Sequence, residues 1–408
     1  MSPHPPRATG PRHRARAHPA RQRRRSRRAR LLRTLLVLTA VLMLGGGAAA
    51  WYMYRELDSI GSSAALGPDA PKSTDGSTNI LLMGLDTRKD QNGDELPRDV
   101  LKKLHAGSSE IGGYNANTLI LLHVPADGGK AKGFSIPRDD LVDIPGHGKD
   151  KIKKAYGLAK ADEENRLLKR GVKDRHELEQ AGREAGRRSQ IETVRTFLGV
   201  PVDHFAEVNL AGFYHLADAL GGVEVCLNHP VKDRYSGADF PAGEQKLNAQ
   251  EALAFVRQRH GLTRGDLDRT RRQQAFLASA LHQANSLGTL TNPGRLLDLK
   301  DVVKENVVLD KGWGVFSFVK EARNLTGGNV EFTTLPVESF ARHNGEDVNI
   351  VDRDLVRRRV QEQTGQLKPE HDAEKHDAKK DSAEKDSAEK DSGHDDPKVS
   401  GGGVPCVD

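Results

Sequence analysis

The sequence predicts an α/β domain in which helices cover a β-sheet, and two observations lead to this fold class. Short runs rich in β-branched residues and leucine recur along residues 78–364, and longer segments with helical patterning separate several of them. Such alternation is typical of layered α/β domains, because each element must bury its apolar side against another layer. A hydrophobic content of 36% and a charged content of 29% also suit a globular domain with polar additions.

The predicted strands are short apolar runs of the length that buried strands usually have. Their order along the chain, with helical segments between several of them, supports a sheet covered by helices. We predict strands at 79–85, 118–124, 133–136, 205–210, 223–227 and 330–337.

The clearest predicted helix begins after Asn248, which is an N-cap candidate. Glu251 lies three residues later and completes a capping-box pattern. The next helix is predicted to begin at Asp266 or Asp268 and to continue to about Asn285. We predict helices at 158–170, 176–198, 211–219, 249–259, 268–285 and 313–325.

The N-terminal part of the chain predicts a membrane anchor. Residues 31–54 are mostly apolar and have the length of a membrane-spanning helix, about 20 residues. Residues 1–30 contain eleven arginines and no acidic residue, so the positive-inside rule places them in the cytoplasm and the main domain outside the cell. A cleaved signal peptide and a nucleic-acid-binding arm are alternatives. We favour a single-pass protein of the cell membrane that binds no nucleic acid.

Two polar segments flank the predicted domain. Residues 55–77 are small and polar and predict an extracellular stalk, whereas residues 365–408 form a charged, low-complexity tail with a DSAEK repeat. The chain contains two cysteines, Cys226 and Cys406. In an extracellular protein they would form a disulfide that ties the tail to the core, and the alternative is a buried thiol with an unrelated tail thiol.

The segment AFVRQRHGLTRGDLDRTRRQQAF, at 254–276, contains six arginines. Two helix ends joined by a short loop can direct several of these side chains into one space, and guanidinium groups bind phosphate oxygens through paired hydrogen bonds. An exposed face paired with nearby acidic residues explains the same pattern. The arginines that we expect to converge are Arg257, Arg259, Arg269 and Arg272, with Gln273 on the same helix face as the last two.

Five motifs along the chain resemble, in their order, those of the LytR-CpsA-Psr family, which are membrane-anchored enzymes of Gram-positive cell walls. The resemblance extends from residue 78 to about residue 340. It implies a three-layer α/β/α domain with a mixed central sheet. The motifs are NILLMGLDTR at 79–88, SIPRD at 135–139, DALGGVEV at 218–225, LNAQEALAFVRQR at 247–259 and DLDRTRRQQ at 266–274.

The resemblance implies a Mg²⁺-dependent phosphotransferase. Such an enzyme would move a glycopolymer, for example a teichoic acid, from an undecaprenyl pyrophosphate carrier to a peptidoglycan hydroxyl through a phosphodiester bond. Catalysis of phosphoryl transfer depends mostly on positioning and on charge neutralisation, and a cluster of arginines suits both needs. The alternative is a non-catalytic scaffold that binds the lipid-linked polymer.

Roles for individual residues follow from the same resemblance. Asp86 matches a magnesium ligand, and Arg138 matches an arginine at the phosphates that Asp139 orients. Asp266 matches an acidic residue that either accepts the proton of the attacking hydroxyl or orients an arginine. The implied catalytic residues are Arg138, Asp266, Arg269, Arg272 and Gln273, and the implied pyrophosphate ligands are Arg138, Arg257, Arg259, Arg269 and Arg272.

The segment NANT, at 115–118, departs from the family's usual R-S-D-T. Asn117 therefore stands where a second metal-binding carboxylate is expected, and Asn115 replaces an arginine. An amide oxygen is a weaker ligand for Mg²⁺ than a carboxylate, so metal affinity should fall. Substrate phosphates could supply the missing charge, or the chain could have kept binding without catalysis.

Two further groups of residues are candidates for contacts with the substrate. Apolar side chains on two predicted helices could line a groove for the lipid, although ordinary core packing explains them as well. Lysines near residue 152 could form a rim of the active site or a plain solvated charge run. The groove candidates are Phe197, Leu198, Phe213, Tyr214 and Leu216, and the rim candidates are Lys151, Lys153 and Lys154.

Overall fold

A mixed β-sheet forms the centre of the domain in the computed structural model. The structure describes residues 61–105, 113–286, 306–313, 317, 321, 324–325, 329–366 and 398–408. The predicted cytoplasmic segment, membrane helix and repeat tail lie outside these residues, as does most of the predicted helix at 313–325. None of the helices in the described ranges has the length and apolar character needed to cross a membrane.

The described strands and helices are as follows in chain order. The strands are β1 (Gly61–Ser63), β2 (Thr78–Leu85), β3 (Ala116–Val124), β4 (Ala131–Ser135), β5 (Leu141–Ile144), β6 (Gly148–Lys151), β7 (His204–Val208), β8 (Val223–Leu227), β9 (Val231–Asp233), β10 (Ala238–Phe240), β11 (Gly243–Leu247), β12 (Val307–Asp310), β13 (Val330–Thr334), β14 (Ser339–His343), β15 (Glu346–Ile350), β16 (Val399–Ser400) and β17 (Cys406–Val407). The helices are α1 (Arg98–Lys103), α2 (Ala155–Lys169), α3 (Arg175–Leu198), α4 (Leu210–Ala219), α5 (Ala249–Arg257), α6 (Asp266–Ser286) and α7 (Arg353–Gln363).

The central sheet has eight strands within the described residues, in the order β1-β12-β7-β2-β3-β4-β13-β16. Strand β2 pairs antiparallel with β3 and parallel with β7, so the sheet is mixed, as the family resemblance predicted. Successive side chains of a strand point to opposite faces. Ile80 and Leu81 of β2 accordingly belong to two separate hydrophobic cores.

These two cores make the domain a three-layer α/β/α structure. On one face, residues of α1, α4, α5 and α6 pack with Ile80, Ile120 and Phe332. On the other face, residues of α2, α3 and α7 pack with Leu81 and Leu121. The sheet is therefore covered on both sides, which accounts for its nearly continuous apolar strands.

Most of the predicted elements are present, and the capping box is confirmed. The Asn248 side chain accepts hydrogen bonds from the backbone N–H groups of Gln250 and Glu251, and Glu251 accepts one from the Asn248 N–H. The predicted strand at 223–227 forms β8, but it belongs to a separate three-stranded sheet with β11 and β17. A pattern of apolar residues predicts a strand without identifying its partner.

Part of the segment predicted as a stalk belongs to the domain. Residues 61–63 form β1, which pairs in parallel with β12 at the edge of the central sheet. The Asp203 carboxylate accepts hydrogen bonds from the backbone and the hydroxyl of Ser73 and from the Asn79 backbone. The sequence GSS has no apolar alternation, so composition alone indicated a linker there.

The C-terminal residues 398–408 also return to the domain, which therefore does not end near residue 364. Strand β16 pairs with β13 at the opposite edge of the central sheet, and β17 pairs with β8. Val399 and Val407 are buried. Cys226 and Cys406 form the disulfide that the sequence suggested, with their Cα atoms 4.3 Å apart.

We expect replacement of both cysteines by serine to lower the free energy of unfolding by about 2–4 kcal/mol, because the bridge closes a long loop and restricts the unfolded chain. The bridged residues are 180 positions apart. Urea unfolding of the oxidised protein, the reduced protein and the double variant measures this effect. Reductant should have no effect on the variant, and two alkylatable thiols in the oxidised protein would contradict the bridge.

Candidate functional site

A cavity of about 700 Å³ lies between the central sheet and helices α4, α5 and α6. One part of its wall is apolar and includes Phe213, Leu216, Phe276, Leu277 and Leu281. The rings of Phe213 and Phe276 pack with their centroids 4.7 Å apart. The polar end is lined by Asp86, Asn117, Arg138, Arg257, Arg259, Arg269 and Gln273. The cavity therefore suits an amphiphile with an anionic group.

The strands place three polar residues next to one another at this end. Strand β2 ends at Leu85, and the Asp86 N–H donates to the Asn115 carbonyl oxygen at 3.0 Å. Arg138 follows β4, which runs antiparallel to the strand that contains Asn117. One guanidinium nitrogen of Arg138 donates to the Asn117 side-chain oxygen at 3.0 Å.

A β-bulge places one extra residue, Asn117, in β3 beside the end of β2, because Gly84 pairs with Thr118 and Leu85 pairs with Ala116. The pairing register between β2 and β3 shifts between Gly84 and Leu85. A Cβ atom at Gly84 would lie 2.9 Å from the Cβ of Thr118, so the two strands approach more closely there than any larger residue allows. Bulges of this kind often lie beside functional sites because they change the direction of a side chain.

Asp266 at the start of α6 holds two of the arginines. Its carboxylate lies 3.0 Å from Arg138 and 2.9 Å from Arg269. Arg269 also approaches the Asn117 carbonyl oxygen at 3.5 Å. These contacts show that Asp266 orients arginines from two different elements, which is one of the two roles that the sequence left open.

Burial affects the charges of the arginines without removing them. Burial lowers the pKa of Arg269 to about 10, although Asp266 opposes this effect. Burial also lowers the pKa of Arg257, and the nearby Asp86 partly compensates. Arg269 remains a cation near neutral pH, and it is surrounded by little water. Charge-assisted hydrogen bonds to a bound anion are strong in such a site.

The lysines near residue 152 form ion pairs behind Arg138. Asp139 lies 3.4 Å from the Arg138 guanidinium and 2.7 Å from the Lys153 ammonium. Burial opposes ionisation of Asp139, but these two cations outweigh it and lower the pKa of the carboxyl. Lys151 contacts both Asp139 and Glu346. None of the three lysines lines the cavity. Lys151 and Lys153 support Arg138 through Asp139, whereas Lys154 pairs with Asp150 and Glu346.

Arg272 lies outside the cavity, so the prediction that it joins the other arginines requires correction. Its side chain is fully buried and donates hydrogen bonds to the main-chain oxygen of Asp408 and to the Gln258 side chain. Its guanidinium also lies 5.1 Å from the centre of the Phe255 ring. Side chains three positions apart differ in direction by about 60° around the helix axis. Contacts with neighbouring residues therefore decide where each guanidinium group lies. Gln273 does line the cavity and donates to the Val256 carbonyl oxygen.

Two of the five residues that were predicted to line an apolar groove do line the cavity. Phe213 and Leu216 line the cavity, whereas Tyr214 packs against the same core without lining it. The prediction was wrong for Phe197 and Leu198, which belong to the hydrophobic core on the opposite face of the sheet. Apolar patterning identifies a buried helix face, but it does not tell which side of the sheet that helix covers.

The donor atoms at the polar end fit magnesium at Asp86 but not at Asn117. The Asn117 side-chain oxygen accepts a hydrogen bond from the Arg138 cation, so a second cation at that oxygen would be repelled. Within the described ranges no group of three His, Cys, Asp or Glu residues could hold a metal ion. Magnesium sites often use one or two carboxylates together with substrate phosphates, and Asp86 can serve as the single carboxylate.

A buried network on helix α3 supports the loop that follows Asp86. Arg183 donates hydrogen bonds to the Asp90 carbonyl oxygen, to the Gln91 side chain and to Glu179. Tyr114 donates to the same Glu179 carboxylate. Burial opposes ionisation of Glu179, but the hydrogen bonds from Tyr114 and Arg183 outweigh it and lower its pKa to about 2. The charge of Glu179 therefore stabilises this region.

The fold and the site together define a class of α/β proteins with a cavity that suits an amphiphilic anion. Residues 52–366 match the LytR_cpsA_psr family. The chain belongs to the LytR-CpsA-Psr family, and the expectation from its motifs is confirmed.

Two curated relatives are similar over much of the chain. The cell wall biosynthesis protein LcpA of Corynebacterium glutamicum is 41% identical over 346 residues, which cover 83% of this chain and 66% of LcpA. TagU of Bacillus subtilis, named polyisoprenyl-teichoic acid--peptidoglycan teichoic acid transferase, is 29% identical over 313 residues, which cover 74% of this chain and 86% of TagU. The chain thus spans slightly less than two thirds of the length of LcpA.

Two solved structures show the same fold. Bacillus subtilis TagV superimposes with a TM-score of 0.50 at 21% identity and covers 72% of this chain and 99% of its own. TagT, solved bound to LIIa-WTA, gives a TM-score of 0.51 at 21% identity and covers 74% of this chain and 99% of its own.

We expect Arg259→Ala to weaken ligand binding and Arg272→Ala to lower the stability of the fold. Arg259 is exposed and lines the cavity, so its loss should weaken binding of inorganic pyrophosphate about tenfold with little change in stability. Loss of the buried Arg272 should lower the free energy of unfolding by about 3 kcal/mol and leave binding nearly unchanged. Titration calorimetry and urea unfolding measure the two quantities. A stable Arg272→Ala protein that no longer binds pyrophosphate would contradict this assignment.

We expect Glu179→Gln to lower stability at pH 7 by roughly 2–3 kcal/mol. Because the folded pKa of Glu179, about 2, lies below the ordinary 4.5, its contribution is complete above pH 4.5 and is lost as the pH falls toward 2. The variant should therefore show a smaller loss of stability between pH 5 and pH 2 than the wild type. Urea unfolding across this range measures the difference. Glu192→Gln, which changes a surface pair with Arg195, is the control and should behave like the wild type.

Proposed function

We propose that this protein is an extracytoplasmic phosphotransferase that moves a glycopolymer from a polyprenyl pyrophosphate carrier to peptidoglycan. One observation carries the proposal: guanidinium groups from the segment after β4, from α5, from α6 and from the α5–α6 loop converge at one end of a cavity whose remaining wall is apolar. A lipid pyrophosphate combines the two chemistries that this cavity offers, because its phosphates suit the arginines and its prenyl chain suits Phe213 and Phe276.

The names of the curated relatives support the same reaction class. LcpA is a cell wall biosynthesis protein, and TagU is named for the transfer of teichoic acid from a polyisoprenyl carrier to peptidoglycan. The chain carries the arginines that such a donor requires.

In the proposed reaction, the acceptor hydroxyl oxygen attacks the phosphorus atom that carries the glycan. A new P–O bond forms, the bond from that phosphorus to the bridging oxygen breaks, and the carrier leaves as its monophosphate. Arg138 and Arg269 hold the phosphate oxygens and neutralise the charge that develops during transfer, with Arg257 and Arg259 on the leaving phosphate. The Asp266 carboxylate, which contacts both Arg138 and Arg269, accepts the proton of the acceptor hydroxyl.

Gln273 completes the proposed site as a neutral contact. Its amide nitrogen donates to the Val256 carbonyl oxygen, and we assign its amide oxygen as an acceptor for the substrate or for water. Arg272 is left out of the catalytic set because it lies behind α5, against Gln258 and Asp408.

We further propose that Mg²⁺ assists the reaction through Asp86 and the phosphates of the donor. The ion would neutralise phosphate charge and orient the leaving group. Asn117 then acts through Arg138, whose guanidinium it positions, rather than as a metal ligand. This assignment differs from the expectation that the amide oxygen binds the metal.

The proposed location is the outer face of the cell membrane. Residues 31–54 would form the single membrane helix, with residues 1–30 in the cytoplasm. The disulfide between Cys226 and Cys406 supports an oxidising compartment, because such bonds are rare in the cytosol.

The full chain in detergent, with a polyprenyl pyrophosphate glycan, peptidoglycan fragments and Mg²⁺, should release polyprenyl phosphate. We expect Arg138→Ala or Arg269→Ala to lower the rate at least about 100-fold, because each removes a donor that stabilises the transferring phosphate. Asp86→Asn should raise the Mg²⁺ concentration needed for half-maximal rate, whereas Asn117→Asp should change it less. Mass spectrometry of the lipid products measures the release.

Arg342→Ala provides the control for these variants. Arg342 is an exposed arginine on β14, distant in sequence from the motifs, and its loss should leave the rate unchanged. Tight binding of the donor without any release of polyprenyl phosphate would favour the non-catalytic scaffold instead. In that case the replacement of a carboxylate by Asn117 would mark the loss of activity.

A further inference from the structure

The cavity is too small for the whole proposed donor. Its volume of about 700 Å³ is typical of a site for one drug-sized ligand, which matches a pyrophosphate and the nearest part of a prenyl chain. The first sugars are attached directly to the pyrophosphate. They must therefore leave the cavity past the arginines and lie over its exposed edge.

Two exposed aromatic side chains stand at that edge. Tyr235, in the turn between β9 and β10, is 62% exposed, and His260 directly follows Arg259 in the loop after α5. Both line the same cavity as the arginines. Their rings pack together with centroids 4.5 Å apart and an angle of 41° between the planes. They form one continuous aromatic surface, which we call the aromatic platform.

Hydrogen bonds fix the Tyr235 hydroxyl and the main chain of both residues of the aromatic platform, although the two rings face solvent. The Arg234 guanidinium donates to the Tyr235 hydroxyl at 3.0 Å, and the Tyr235 N–H donates to the Asp233 carboxylate at 2.9 Å. On the other side, the Gln258 amide donates to the His260 carbonyl oxygen at 3.2 Å. A large side chain that is fixed but not buried loses little entropy when it binds a ligand.

The platform differs from the other large apolar side chains that are strongly exposed in the described ranges. Leu168 and Phe340 are 51% and 72% exposed, respectively, and neither lines the cavity. Single exposed apolar residues are common on protein surfaces and need no explanation. Tyr235 combines exposure with a ring partner, a fixed hydroxyl and a position beside Arg259.

We propose that Tyr235 and His260 bind the first sugar rings of the donor, and this assignment rests on the proposed function. A pyranose has an apolar C–H face that packs on an aromatic ring, and hydroxyl groups that hydrogen-bond with Arg234 or the imidazole. A prenyl chain has only the first of these properties and is better matched by the apolar wall at Phe213 and Phe276. The platform therefore makes the site prefer a glycosylated pyrophosphate over the bare carrier.

The test compares two probes that differ only in the sugar. These are a short polyprenyl pyrophosphate and the same molecule bearing one N-acetylhexosamine, titrated by calorimetry into the full chain in detergent. We expect Tyr235→Ala to weaken binding of the glycosylated probe about tenfold and to leave the bare probe unchanged. Tyr235→Phe keeps the ring and should retain most of the affinity, and His260→Ala should lower it by a smaller factor than Tyr235→Ala.

Phe340→Ala removes an equally exposed aromatic ring away from the cavity and should change neither affinity. Equal losses for both probes in Tyr235→Ala would assign the ring to the pyrophosphate or the prenyl chain and overturn the proposal. The same conclusion would follow if Tyr235→Ala changed neither affinity, or if the wild type bound both probes equally. If the wild type binds neither probe, the result contradicts the proposed function and, with it, the proposed role of the aromatic platform.

Discussion

The contact of Asp266 with two arginines is the interaction on which the polar end of the cavity depends. Arg138 and Arg269 come from different elements, and both are buried. Two cations that contact the same carboxylate also repel each other, and burial removes the water that would screen this repulsion. A shared carboxylate offsets that cost before any ligand binds. In the proposed reaction, the phosphates of the donor would meet guanidinium groups that are already oriented.

In the proposed reaction, Asn117 positions Arg138 and does not bind the metal. Its amide oxygen accepts a hydrogen bond from Arg138, and its main-chain oxygen lies near Arg269. A carboxylate in this position would compete with Asp266 for Arg138. The neutral amide holds the guanidinium and leaves more positive charge for an anionic ligand. In the proposed reaction, Asp86 is the carboxylate that holds the cation.

The C-terminal residues stabilise the site from behind. Cys406 is bonded to Cys226 of β8, and the main-chain oxygen of Asp408 accepts a hydrogen bond from Arg272. Arg272 in turn contacts Gln258, the residue that also supports His260. Residues that close the fold and residues that face the cavity therefore share contacts across α5 and α6.

The sequence by itself determined the order of the main strands and helices, the capping box before α5 and the membership of the family. These features depend on neighbouring residues, because helix caps and apolar periods act over a few positions. The convergence of Arg138, Arg257, Arg259 and Arg269 was predictable from the matched motifs. The pairing partner of β8 and the return of residues 398–408 were not.

Only the tertiary structure decided where individual side chains of one helix face go. Arg269 and Arg272 are three positions apart on α6, yet one lines the cavity and the other is buried against Asp408. Phe197 and Phe213 had the same apolar signal but lie on opposite faces of the sheet. The physical reason is that burial, hydrogen-bond partners and shared charges come from residues far apart in the chain, which local patterns do not encode.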